Sequence, residues 1–267
     1  MPKTFTCIGK LFGAKRTYGF FGRFPDWDSA EQKCSGYDAE SVFDAVRKGS
    51  LKVRDGYEGY ERDSVLFDKI SYSWPVLSAL MWVAARNDGH LRVADFGGAL
   101  GSSYRQMRRF LSGLKDVCWG IVEQSRFVKI GCDEFASEEL KFFINLKKCR
   151  EWTNYNVVLA SGVLQYLRDP QLCIEEMCSS GTDVIVIDRI GFLFNENVKR
   201  ITIQKVPPSI YNASYPCWFF NRDEFIGWFE RNGFKLYEEF KSALVDISLI
   251  DGCPSADEWG LIFVRQS

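Results

Sequence analysis

The chain has few histidines, no paired cysteine motifs and no long apolar runs, and each shortage excludes a class of protein. Only one histidine, His90, occurs in 267 residues. Nine cysteines, at positions 7, 34, 118, 132, 149, 173, 178, 217 and 253, form no CxxC pair. Neither a zinc ribbon nor a thioredoxin-type redox motif is therefore spelled, and no metal site is expected. The odd count reads as reduced thiols in a cytoplasmic protein. The opening MPKTFTCIGKLFGAKR lacks the apolar run of a signal peptide. The uncharged stretch 70–85 is short for a membrane span and contains Pro75. With 34 Lys+Arg against 35 Asp+Glu there is no basic excess to neutralise phosphates, which argues against a nucleic-acid partner. Arg105, Arg108 and Arg109 read as a solvated helix face. No repeat or low-complexity linker divides the chain.

What is present is the composition of a globular protein, 46% hydrophobic and 26% charged. At this length one α/β domain with an N-terminal extension is expected. Aromatics reach 15% and concentrate before residue 82 and between 211 and 229, where a binding rim and plain core are equally good readings. Residues 1–88 read as helical and loop-rich. Asp38 is placed to cap a helix carrying Val42, Phe43 and Val46 and stopping at Gly49. Another helix runs from Trp74 to Ala85, with Pro75 tolerated in its first turn.

From Leu91 the rhythm changes. LRVADF, VCWGIVE (117–123), ELKFFIN (139–145), YNVVLAS (155–161) and DVIVID (183–188) are apolar strand candidates. Helices are predicted between them and after the last, one starting at Asp169-Pro170 and one at Asn221 with Glu224 in a capping box. Two further strands, near 234–240 and 259–265, finish the chain. The pattern predicts a doubly wound, mainly parallel sheet.

Such sheets bind ligands outside the carboxyl ends of their strands. The first turn there reads Asp95, Phe96, Gly97, Gly98, Ala99, Leu100, Gly101, Ser102. It does not spell GxGxxG, which weakens an NAD(P) reading. An apolar strand ending in an acid before a glycine-rich loop is also how S-adenosylmethionine (SAM) enzymes begin their site. Gly97, Gly98 and Gly101 would let backbone approach the ligand, and Asp95 would bond it or brace the loop; a merely tight turn is the alternative. Glu123, at the end of the second strand, is placed to accept hydrogen bonds from ribose hydroxyls. Ser161, Gly162 and Val163 form a small-residue turn after the fourth strand.

The segments GYERDSVLFDKISYSWP, VADFGGALGSSYRQMR, VLASGVLQYLRDP and VIVIDR resemble a family of SAM-dependent methyltransferases whose genes often lie among bacterial surface-polysaccharide clusters. The resemblance runs from about Gly36 onward. It implies a class I, seven-stranded methyltransferase sheet over 89–267, residues 1–88 as a helical extension or lid, and a sugar or glycoconjugate precursor as methyl acceptor.

Methyl transfer to a hydroxyl usually needs a base. His90 precedes the first strand and so lies at the wrong end of the sheet. Asp188 ends the fifth strand, and Glu61 and Asp63 could fold over the cofactor; these three are the catalytic candidates. Arg62 and Arg189 could bind an acidic acceptor or pair with those carboxylates. Tyr211 and Tyr215 are candidates for stacking on a sugar ring, whereas Trp218 reads as core. Two competing functions are a SAM-binding but catalytically silent scaffold in glycan assembly, and an NAD(P)-dependent enzyme.

Overall fold

The structure is a computed structural model, and it describes residues 17–36, 40–57, 59–62, 65–194, 199–208, 210–242 and 256–266. In chain order the elements are β1 (Gly19–Phe24), α1 (Trp27–Glu31), α2 (Glu40–Arg54), β2 (Tyr60–Arg62), β3 (Val65–Phe67), α3 (Trp74–Arg86), β4 (His90–Phe96), α4 (Ser102–Leu111), β5 (Asp116–Val122) and α5 (Ser125–Ile130). There follow β6 (Leu140–Phe143), α6 (Leu146–Trp152), β7 (Val157–Ser161), α7 (Pro170–Ser179), β8 (Val184–Leu193), β9 (Arg200–Lys205), β10 (Ser214–Phe219), α8 (Arg222–Glu230), β11 (Phe234–Lys241) and β12 (Ala256–Arg265).

Seven strands form the main sheet in the order β11-β12-β8-β7-β4-β5-β6. β4 pairs in parallel with β5 and β7, as do β5 with β6 and β7 with β8. β12 runs antiparallel to both β8 and β11. The predicted doubly wound, mainly parallel sheet is thus present. Its central strands are apolar on both faces because helices cover both. One face packs Val93, Trp119 and Leu159 against α2, α3 and α4; the other packs Ala94, Val158 and Ile187 against α6, α7 and α8. Among the described residues no helix is long and apolar enough to cross a membrane.

The structure differs from the sequence reading in four places. The helix carrying Val42, Phe43 and Val46 does not stop at Gly49 but runs to Arg54. Burial of those three side chains outweighs the roughly 1 kcal/mol that a mid-helix glycine costs; Asp38 lies outside the described residues. The strand begun by DVIVID does not end at Asp188 but continues to Leu193, because β12 pairs along its whole length. Arg189 breaks the run locally with φ 56°, a left-handed conformation rare for a side-chain-bearing residue. Beyond it, β9 and β10 join β1 in a second, three-stranded sheet of order β1-β9-β10. The N-terminal part therefore contributes β1 and the β2–β3 hairpin as well as its helices. Finally, Asp169 precedes α7 as expected, but its side chain makes no capping bond, whereas Asn221 Oδ1 does accept from the Glu224 amide at 2.9 Å.

The face carrying α8 rests on Phe229, which is fully buried and stacked on Phe263 of β12 with ring centroids 3.8 Å apart. Replacing Phe229 with alanine is expected to cost about 3–5 kcal/mol, measured as a lowered urea midpoint with unchanged slope.

Candidate functional site

Strand order reverses at β4: the chain goes on to β5 and β6 on one side and returns to β7 and β8 on the other. The crevice predicted at such a point is a cavity of about 390 Å³, within the range of small-molecule sites. Its floor and walls come from the carboxyl ends of the strands, namely Asp95 to Ala99, Val122 to Gln124, Ser161 to Val163, and Asp188 with Arg189. Tyr60, Glu61, Arg62 and Ser73 close it from the N-terminal part of the chain, and Ser102, Ser103 and Gln106 from α4.

The loop after β4 is left-handed at every second residue, with φ of 74° at Gly97, 50° at Ala99 and 92° at Gly101. Gly98 is required for a different reason: a Cβ there would lie 2.6 Å from the Asp95 carboxyl carbon. A Cβ on Gly97 would meet Val163 at 2.4 Å. The loop is thus pressed onto Asp95 and the β7 turn, and a branched side chain at either glycine would disturb the loop itself as well as a ligand. Gly101 is the N-cap of α4 and offers no side-chain cap.

Asp95 is 1% exposed. Its Oδ2 accepts from the Trp119 indole at 2.9 Å. Burial pushes its pKa up to about 7, opposed by that hydrogen bond. Glu123 Oε1 accepts from the Ala99 amide at 3.2 Å and Oε2 from the Gln124 amide at 2.8 Å. Burial raises its pKa as well, against those two amides. Asp188 is 3% exposed, and its Oδ2 accepts from Ser161 Oγ at 3.3 Å and Ser73 Oγ at 3.4 Å. Its Oδ1 meets no partner of hydrogen-bond geometry among the described residues. Burial raises this carboxyl too, opposed by the Arg189 guanidinium. Glu61 is a fourth buried carboxyl, accepting from Ser102 Oγ at the start of α4 and from Ser50 Oγ at 3.5 Å.

Most of the residues singled out in the sequence meet here. Asp95, Gly97, Gly98, Ser102, Glu123, Ser161, Gly162, Val163, Asp188, Glu61, Arg62 and Arg189 all line the cavity. Arg189 lies across the β7 turn, donating from Nε to Ser161 Oγ and from Nη2 to the Ser161 carbonyl, each at 3.3 Å. Gly101 does not line it; the glycine faces Arg105 and Leu140 behind the loop. Nor do Tyr211 and Tyr215. Tyr215 is buried edge-on against Tyr166, a wall residue, with centroids 5.2 Å apart, and the Tyr211 and Tyr215 hydroxyls are 3.3 Å apart. Asp63 lies outside the described residues. Arg105 is not on a solvated face but turns inward over the Phe135 ring and bonds the Leu100 carbonyl; its burial lowers the guanidinium pKa. Arg108 pairs with Glu139 at 3.2 Å, and Arg109 is exposed. His90 stands at the amino end of β4 beside Asp116, on the far edge of the sheet.

Several wall residues escaped the sequence reading, Ser73 and Gln106 among them. Ser73 occupies the N-cap of α3 yet makes no capping bond, its hydroxyl reaching Asp188 instead. Gln106 sits buried in α4 and donates to the Ser71 carbonyl. The only local signal for Gln106 is a polar side chain interrupting an apolar helix stripe.

No family model matches the chain, and no curated protein matches it. Solved structures of similar arrangement include magnesium protoporphyrin IX methyltransferase from Synechocystis PCC 6803 with bound SAH, 13% identical over 84% of this chain and 98% of that one, TM-score 0.48. The N-terminal domain of EvdMO1 with SAH and D-fucose is 12% identical over 87% and 99%, TM-score 0.46. The CcbJ methyltransferase from Streptomyces caelestis is 12% identical over 86% and 100%, TM-score 0.47. Likeness at this level carries no information on chemistry. The sheet itself, seven strands with the last inserted antiparallel between β8 and β11, has the class I methyltransferase arrangement.

The Asp95 carboxyl yields a pH test. Its folded pKa of about 7 lies above the ordinary 3.8, so the folded chain keeps a proton that the unfolded chain loses, and stability falls as pH rises through that window. Asp95→Asn removes this slope. Relative to the parent, the variant is expected to gain about 2–3 kcal/mol between pH 5 and pH 8, measured by urea unfolding at both pH values.

Proposed function

We propose that this chain is a SAM-dependent methyltransferase that binds its cofactor in the cavity at the switch point and methylates a hydroxyl of a small-molecule or glycan acceptor. The observation that carries this reading is electrostatic. The buried Asp95, Asp188 and Glu61 and the half-buried Glu123 place four carboxyls around one cavity. A ligand bearing a sulfonium and an ammonium group complements such a wall. The missing GxGxxG counts against the NAD(P) reading.

In this reading the backbone of residues 97–99 contacts the cofactor. Glu123, whose carboxylate has lone pairs beyond those used by two amides, accepts from the ribose hydroxyls. Ser161 to Val163 line the opposite side. When bound, SAM supplies a methyl group on a positively charged sulfur, so the protein's main task is alignment. Asp188 is the candidate base. Two serine hydroxyls hold its Oδ2, and burial raises its pKa against the Arg189 guanidinium and the hydrogen bonds it receives, which suits proton acceptance. Arg62 and Arg189 stand on the acceptor side. Residues 1–88 act as the lid, with Glu61 tying it to the start of α4. The sequence resemblance supports a sugar or glycoconjugate precursor as acceptor and a cytoplasmic setting.

SAM or SAH, but not NAD, is expected to raise the melting temperature of the purified protein; an equal rise with NAD overturns the assignment. Glu123→Ala is expected to weaken SAM binding by about 2 kcal/mol, as read by calorimetry.

Turnover is to be sought with labelled SAM and fractionated nucleotide sugars and lipid-linked glycans. With the acceptor so found, Asp188→Asn should retain SAM affinity and lose about 100-fold in turnover, while His90→Ala stays active. SAM binding without turnover on any fraction would favour the silent-scaffold reading.

A further inference from the structure

Of the stacking residues that the sequence placed at Tyr211 and Tyr215, the second is buried and the first half-buried, yet a ring cluster with an exposed indole stands elsewhere. Tyr72, Trp74 and Phe110 form a closed trio, with centroids 4.9 Å apart for Tyr72 and Trp74, 5.1 Å for Tyr72 and Phe110, and 5.5 Å for Trp74 and Phe110. Trp74 is 55% exposed although its two neighbours hold it in place. Arg109 lies over Phe110 with its guanidinium 5.2 Å from the ring centre. Exposed polar side chains, Lys69, Ser71 and Ser78, flank these residues in the chain.

The trio is joined to the wall of the cavity. Ser73, between Tyr72 and Trp74, lines the cavity and bonds Asp188. Gln106 also lines it and lies one helical turn before Phe110, a rise of about 6 Å. The bond from Gln106 to the Ser71 carbonyl straps the Ser71–Trp74 stretch onto α4, so the rings are fixed relative to the site.

We propose that Trp74, backed by Tyr72 and Phe110, is a carbohydrate platform that holds a second sugar unit of an oligosaccharide acceptor while the reacting unit occupies the cavity. A flat, immobilised indole matches the apolar C–H face of a pyranose. The tyrosine hydroxyl and the Arg109 guanidinium supply donors for its equatorial oxygens. The patch is too small for a second copy of the chain: a stable protein interface buries about 800 Å² per partner, and Trp74 is the one ring of the trio that is exposed, Tyr72 and Phe110 being half-buried. The proposal deepens the methyltransferase reading by making the acceptor an oligosaccharide rather than a monosaccharide.

The test uses the full chain saturated with SAH on an array of defined oligosaccharides and their component monosaccharides. The expected result is retention of a set of oligosaccharides at least 10-fold better than the matching monosaccharides. That preference is lost by 10-fold or more in Trp74→Ala and kept in Trp74→Phe, with the SAM-induced melting shift unchanged in both. Binding of no sugar by the parent, or equal binding by Trp74→Ala, overturns the platform. So does a dimer in light scattering that Trp74→Ala dissolves, since the patch would then belong to a second copy. If SAM gives no melting shift while Trp74-dependent sugar binding persists, the cofactor reading fails and the platform stands.

Discussion

The descent of the glycine-rich loop onto a buried carboxyl is the contact on which the rest of the site depends. Gly98 lies so close to Asp95 that no side chain fits between them, and the indole of Trp119 holds the carboxyl from the neighbouring strand. Burying an acid this way is unfavourable and is tolerated because the hydrogen bond and the sheet leave it no alternative position. With the loop held down, Ala99 is forced into a left-handed conformation, its amide meets Glu123, and α4 begins at Gly101 with no side-chain cap. The depth of the cavity, the place of its acids and the direction of α4 all follow from that one close approach.

The second half of the site is assembled by three long-range tethers from the N-terminal part. Glu61 reaches Ser102, Ser73 reaches Asp188, and the Ser71 carbonyl receives Gln106. Each ties a segment before β4 to an element of the main sheet or its first helix. Residues before β4 therefore form part of the wall of the site, and a change at Ser73 acts on a carboxyl 115 residues away.

The parts of this architecture that were legible in the sequence are those that local pattern determines. The apolar runs marked the strands of the main sheet. The acid before the glycines and the glutamate after the next strand marked the cavity, because strand ends in a parallel sheet share one edge. The parts that were not legible depend on partners distant in the chain. Gly49 ends no helix because its neighbours are buried. Arg105 turns inward because Phe135 offers a ring beneath it. Tyr211 and Tyr215 look like free aromatics until β10 is seen to carry Tyr215 onto Tyr166 in the main core, and nothing local to residues 19–24 announces the pairing of β1 with β9.

That pairing also sets an order of assembly. Phe21 faces Ile203 across the β1–β9 ladder, a separation of roughly 180 residues that gives the contact a high loop-closure cost and a late place in folding. During synthesis the first strand must wait with its edge unpaired until β9 and β10 have left the ribosome, by which time β4 to β8 are already available to collapse around their own core. The small sheet is then a late seam, and its closure brings an early-made segment into register with one made roughly 180 residues later.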